Sequence, residues 1–160
     1  MSSINSLDLR TLITRSVNDV FDTMLSMPVE TIEDATAEIV NGHHIVGTVG
    51  FAGTVLGNLN LHVGEALACQ MTAAMLDMET DEIEDDEEVH DVIGELCNMI
   101  CGDLKSRLCD AGLTCDLSIP SITSGKDFQI ESKGWDRNEQ YGFCSGDHTA
   151  LVAVYMKSAH

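Results

Sequence analysis

The sequence predicts a two-layer α/β protein of the α+β type. In it a long helix followed by three antiparallel strands occurs twice, and a short extra helix precedes the second long one. Three observations lead there. Two long segments carry apolar residues at a 3.6-residue period. Several shorter segments alternate with a period of two or are apolar throughout. The two long segments also superpose at an offset of 80 residues, half of the 160-residue chain.

Leu7 to Met27 reads as the first helix. Its apolar positions are Leu9, Leu12, Ile13, Val17, Val20, Phe21, Met24 and Leu25, with Pro28 just beyond as a stop. Val29 to Val40 is polar and mixed, and reads as an edge strand. "HHIVGTVGF" and "TVLGNLNLHV" are strands, and Ala52-Gly53 between them reads as a hairpin turn. In the second of these, Val55, Gly57, Leu59, Leu61 and Val63 alternate with Leu56, Asn58, Asn60 and His62, so one face is largely polar. Gly64 to Met78, rich in Ala, Met and Leu, is the short helix. "ETDEIEDDEEVH" is an acidic linker passing into the first turn of the third helix, where carboxylates favour the positive helix end. That helix runs from about Asp86 to Ala111, with Gly112 as its stop. "TCDLSIPSI", "DFQIES" and "TALVAVYMK" complete the strands, the last apolar on both faces and therefore central. Gly134 to Asp147 reads as a loop.

Setting "LITRSVNDVFDTML" over "VIGELCNMICGDLK" aligns Leu12/Val92, Ile13/Ile93, Val17/Cys97, Val20/Ile100 and Met24/Leu104. Asn18 falls on Asn98, and Arg15 on Glu95. Two amphipathic helices can be slid to match several apolar positions by chance. The shared Asn and the matching element order favour a duplicated half. The expectation is one domain over 1–160, with similar halves at about 7–63 and 86–157.

Composition narrows the function classes. Hydrophobic residues make up 44% and charged residues 22%, an ordinary globular mix. The net charge of -19 disfavours nucleic acid or an anionic membrane surface as a partner. No apolar run is long enough for a membrane span, and "MSSINSLDLR" has no signal-peptide pattern. The six Cys form no C-x-x-C pair and read as reduced, buried fillers, so a cytoplasmic location is expected. Adjacent His43 and His44 point to opposite faces of a strand and make a poor metal pair. The acidic run lacks the order of a Ca2+ loop, and no Gly-rich phosphate loop or Ser-His-Asp set appears. Cys97 and Cys101 share a helical face without a completing ligand set.

The third helix carries the one unusual constellation. Val89, Ile93, Leu96, Ile100, Leu104 and Leu108 form its core stripe. Asp91, Glu95, Asn98, Gly102 and Lys105 form a second line at spacings of four and three. Glu95 and Asn98, at i and i+3, project side by side. Gly102, a turn further on, leaves that face bare at a cost of roughly 1 kcal/mol of helix propensity. Such a helix can insert an acid and an amide into a partner. On the residues alone a solvated polar face is the simpler reading, although Asn is a mediocre helix former and harder to dismiss.

The wider pattern decides between them. "GTVLGNLNLHV", an Ala- and Met-rich helix, the acidic linker, "DVIGELCNMICGDLKSRL" and "LTCDLSIPSI" together resemble the CheC/CheX/FliY family of bacterial chemotaxis, whose members dephosphorylate the response regulator CheY. The resemblance covers most of the chain, up to the strand ending near Ile122. CheC-like members carry E-x-x-N on both long helices and CheX-like members only on the later one, so Arg15 makes CheX the closer match. What the resemblance implies is a phosphatase acting on the aspartyl phosphate of a CheY-like receiver domain. Asn98 would position the attacking water and Glu95 would pair with a receiver Lys, with Asp91 and Gly102 on the partner-binding face. No cofactor of its own is expected, the Mg2+ being supplied by the receiver, and a homodimer is expected. The alternatives are a non-catalytic adaptor of the flagellar switch and a receiver-sequestering dimer on the same fold.

Overall fold

The computed structural model describes residues 4–36, 39–40, 42–126, 128, 130 and 132–159. Helix α1 spans Leu9–Val20. The Asp8 carboxylate caps it, accepting from the Thr11 amide at 3.2 Å and the Thr11 hydroxyl at 2.7 Å. These bonds favour the charged carboxylate and hold Asp8 below its ordinary pKa. From Phe21 to Leu25 the helix widens into a π turn and ends at Ser26 in a left-handed conformation. Strands β1 (Glu30–Ile32), β2 (His43–Gly53) and β3 (Val55–Gly64) follow. Then come α2 (Glu65–Leu76), a 3-10 turn over Thr80–Glu82, and α3 (Asp86–Asp110). Strands β4 (Cys115–Leu117), β5 (Ser121–Lys126), β6 (Arg137–Ser145) and β7 (His148–Ser158) complete the described elements.

The strands form one antiparallel sheet in the order β1-β6-β7-β3-β2-β4, with β5 also paired to β2. The order is close to palindromic. β3 and β7 are central neighbours, β2 and β6 flank them, and β1 and β5 lie outside. Each outer strand pairs across, β1 with β6 and β5 with β2.

Side chains alternate across the sheet, and one set meets the helices. Ile45, Val49, Leu59, Leu61, Val63, Val152 and Val154 pack there with Ile13 and Val17 of α1, Leu67 and Met71 of α2, and Ile93, Leu96, Ile100 and Leu104 of α3. Truncating one of these buried side chains to Ala costs about 2–5 kcal/mol.

The opposite face is also buried. Phe128 stacks on His44 with ring centroids 4.1 Å apart, and His44 lies 6.4 Å from His62. Ala35 and Ile39 sit against Gly142, and Trp135 lies 6.4 Å from Tyr155. The polar side of β3 is therefore interior, and its amides are satisfied within the sheet. Thr48 donates to Asn60 at 2.7 Å, and Asn60 donates to Asn58 at 2.7 Å. Burial, with a smaller contribution from His44, pushes the His62 pKa down to about 4.

Several expectations need correction. The strand over Val29–Val40 is only three residues long, at the sheet edge. Ala52 and Gly53 are strand residues, paired to Asp116 and Cys115 of β4, rather than a turn. "TCDLSIPSI" breaks into β4 and the start of β5, so the second half has four strands. In "DFQIES", Asp127, Gln129 and Glu131 lie outside the described residues, and Phe128, Ile130 and Ser132 are not in a strand. The strand lies further on, as β6, inside the stretch read as a loop.

Candidate functional site

Helix α3 begins at Asp85, whose side chain accepts from the Glu88 amide at 3.1 Å. Asp86, Glu87 and Glu88 occupy its positive first turn and Arg107 its last. It ends where Leu113 N–H donates to the Leu108 carbonyl at 2.8 Å, with Gly112 at a φ of 84°. The core stripe from Val89 to Leu108 is buried as its spacing requires.

The helix is seated closely on β2. A Cβ at Gly47 would lie 3.2 Å from the Cys97 Cβ, a tight contact that the glycine relieves. The Cys97 thiol donates to the Gly47 carbonyl at 3.2 Å, and burial pushes its pKa up to about 12. It stays a thiol and acts as a packing and hydrogen-bonding group. Burial likewise raises the Cys101 pKa, so neither cysteine offers a thiolate. Asp103 accepts from Ser16 of α1 and pairs with Arg107 at 3.4 Å, joining the two long helices. The sequence offered little signal for this link, because both residues are common on polar helix faces.

Cys97 points at the sheet, and Asn98, about 100° further round the helix, lies at the edge of the buried stripe. Asp91 and Glu95 are exposed, while Asn98 and Gly102 are half-buried. A Cβ at Gly102 would meet nothing within 4 Å, so the glycine opens the face without any packing reason. Among the described residues neither the Glu95 nor the Asn98 side chain has a hydrogen-bond partner. The structure thus brings Asp91, Glu95, Asn98 and Gly102 onto one outward face. Lys105 continues it, 3.7 Å from Asp116 of β4.

Two cavities lie on other parts of the surface, one of about 320 Å³ near His43, Glu65 and His148, and one of about 470 Å³ beside α1. Small-molecule sites are concave, so polar side chains left unpartnered on an open helix face suit a macromolecule. Among the described residues no group of three or more His, Cys, Asp or Glu is arranged to hold a metal ion.

The matching face of α1 differs. Arg15 and Asn18 are exposed but line the cavity beside Thr31 and Glu33. Asp22, aligned in sequence with Gly102, lies within the π turn. There each turn takes up more residues, so its angular relation to Asn18 is not that of Gly102 to Asn98.

Residues 45–144 match the family model described as chemotaxis phosphatase CheX. The curated CheY-P phosphatase CheX of Thermotoga maritima is 33% identical over 93 residues, which cover 58% of this chain and 59% of that relative. A crystal structure of chemotaxis protein CheX from Vibrio vulnificus superposes with a TM-score of 0.81 at 25% identity, covering 94% of this chain and 97% of the other. The fold is also that of CheX in the CheX-CheY-BeF3-Mg2+ complex of Borrelia burgdorferi, with a TM-score of 0.72 and 19% identity over 94% of this chain and 99% of the other.

Proposed function

Because the chain belongs to the chemotaxis phosphatase CheX family, we propose that it hydrolyses the aspartyl phosphate of a CheY-like receiver domain in bacterial chemotaxis signalling. The observation that carries this reading is the outward face of α3, where Glu95 and the half-buried Asn98 stand together beside the open Gly102.

In the proposed reaction a water attacks phosphorus in line. The bond from phosphorus to the aspartyl oxygen breaks, and inorganic phosphate and a free carboxylate result. Orientation and electrostatics supply most of the rate in such transfers. The Asn98 amide accepts a hydrogen bond from the water through its oxygen and donates through its NH2. It brings no negative charge toward the phosphoryl group, as a carboxylate there would. Glu95 pairs with a receiver Lys and fixes the helix in register, with Asp91 and Gly102 at the rim of the contact. Mg2+ belongs to the receiver, where it neutralises phosphoryl charge.

The same reading takes the protein as a cytoplasmic homodimer and each chain as one domain of two related halves. The near-palindromic strand order supports the halves. No helix among the described residues is long and apolar enough to cross a membrane.

The test is turnover. A phosphorylated CheY receiver in large excess over this protein should release many equivalents of phosphate per chain. Release limited to one equivalent, or protection of the phosphate, identifies a sequestering or adaptor role.

A further inference from the structure

The chain from β4 to β5 runs beside the site. Asp116 lies next to Lys105, and Pro120 rests on α3 at Gly94, 3.5 Å from where a Cβ would be. Asn98 falls between those two points of the helix. At the end of this segment nearer Glu95 stands Ile119, 88% exposed. Met24 and Leu76, the other exposed large apolar residues among those described, reach only 39% and 43%.

The exposure of Ile119 is built in. The Gly50 amide donates to Ser118 Oγ at 2.8 Å, and the Ser118 amide donates back to the Gly50 carbonyl at 2.8 Å. Ser118 Oγ donates to the Ile119 carbonyl at 3.1 Å. Pro120 fixes the next φ and packs against α3. A branched apolar side chain on a loop held from both sides is pre-organised, so burying it on binding costs little ordering entropy.

Resting on the reading of α3 as a receiver-binding face, we propose that Ile119 is a second anchor for the receiver domain. It buries against apolar surface beside the receiver's phosphorylated aspartate while Glu95 and Asn98 enter the acidic pocket. A protein of net charge -19 gains little from long-range attraction to an acidic partner. A desolvated apolar contact beside the polar pair supplies affinity that charge does not.

The experiment is titration of a CheY receiver loaded with BeF3 and Mg2+ into the wild type, Ile119→Ala and Ile119→Asp. Phosphate release by the wild type is measured in parallel. Both substitutions keep the fold, since the side chain meets solvent, and melting curves check this. Affinity should fall by about tenfold for Ile119→Ala and further for Ile119→Asp. In steady state KM should rise while kcat is kept. Equal affinity of the wild type and Ile119→Asp overturns the inference. So does a fall in mass from roughly twice 17.3 kDa to the monomer with receiver affinity unchanged, because Ile119 would then contact a second copy. Failure of the phosphatase reading is seen separately, as a wild type that binds the receiver but releases no phosphate.

Discussion

Glu95 and Arg15 occupy matching positions on the two long helices, and their charges argue for opposite outcomes. Both are exposed. In the proposed complex a carboxylate at 95 attracts a receiver Lys, whereas a guanidinium at 15 would repel it by about 1 kcal/mol at 4 Å in water, and more where water is excluded. Glu95→Ala should therefore raise KM about tenfold with kcat largely kept, since the lost contact is made in both ground and transition states. Asn18→Ala should leave turnover unchanged, because its helix lacks the anchoring acid and faces the groove with Thr31 and Glu33. Steady-state phosphate release on the two variants checks both. A large loss from folded Asn18→Ala would mean that both halves work.

Helix α3 was legible in the sequence because each of its signals is local. The acidic first turn, the Gly112 stop, the buried stripe and the i, i+3 pair all belong to one element or its immediate end. Strand β6 was not, because its reasons lie elsewhere in the chain. Arg137 and Glu139 sit on the helix side of the sheet, where charge argues against a strand. They are tolerated because they pair with each other, because Arg137 donates to the Ile4 and Leu7 carbonyls at 2.7 and 2.8 Å, and because Tyr141 donates to Glu139 at 2.7 Å. Phe128 misled in the opposite direction, as an apolar residue that covers His44 from outside the sheet. Gly102 gives α3 a test with two signs. Nothing fills the space above it, so Gly102→Leu should stabilise the helix by up to about 1 kcal/mol while weakening receiver binding. A thermal melt and a binding titration on that variant read the two effects. Unchanged binding would remove this face from the interface.

For the molecule as a whole, burial of both sheet faces has a consequence for pH. His62 has a folded pKa of about 4 against an ordinary 6.5, so the unfolded chain binds more protons between those values. The stability from keeping His62 neutral is complete above pH 6.5 and is lost as pH falls toward 4, up to about 3 kcal/mol. Asp8 acts in a lower window, its contribution being lost as pH falls from its ordinary 3.8 through its depressed folded value. The melting temperature should drop between pH 7 and 5, and His62→Gln should remove much of that drop. Equal slopes in both proteins would place the acid sensitivity elsewhere. In the proposed reaction the half-buried Asn98 amide is the catalytic group, and one measurement bears on that most directly. Phosphate release from excess phosphorylated receiver should show many turnovers for the wild type and a loss of about 100-fold or more in kcat for Asn98→Ala, with the circular dichroism unchanged. A folded Asn98→Ala protein that turns over at the wild-type rate would contradict the account.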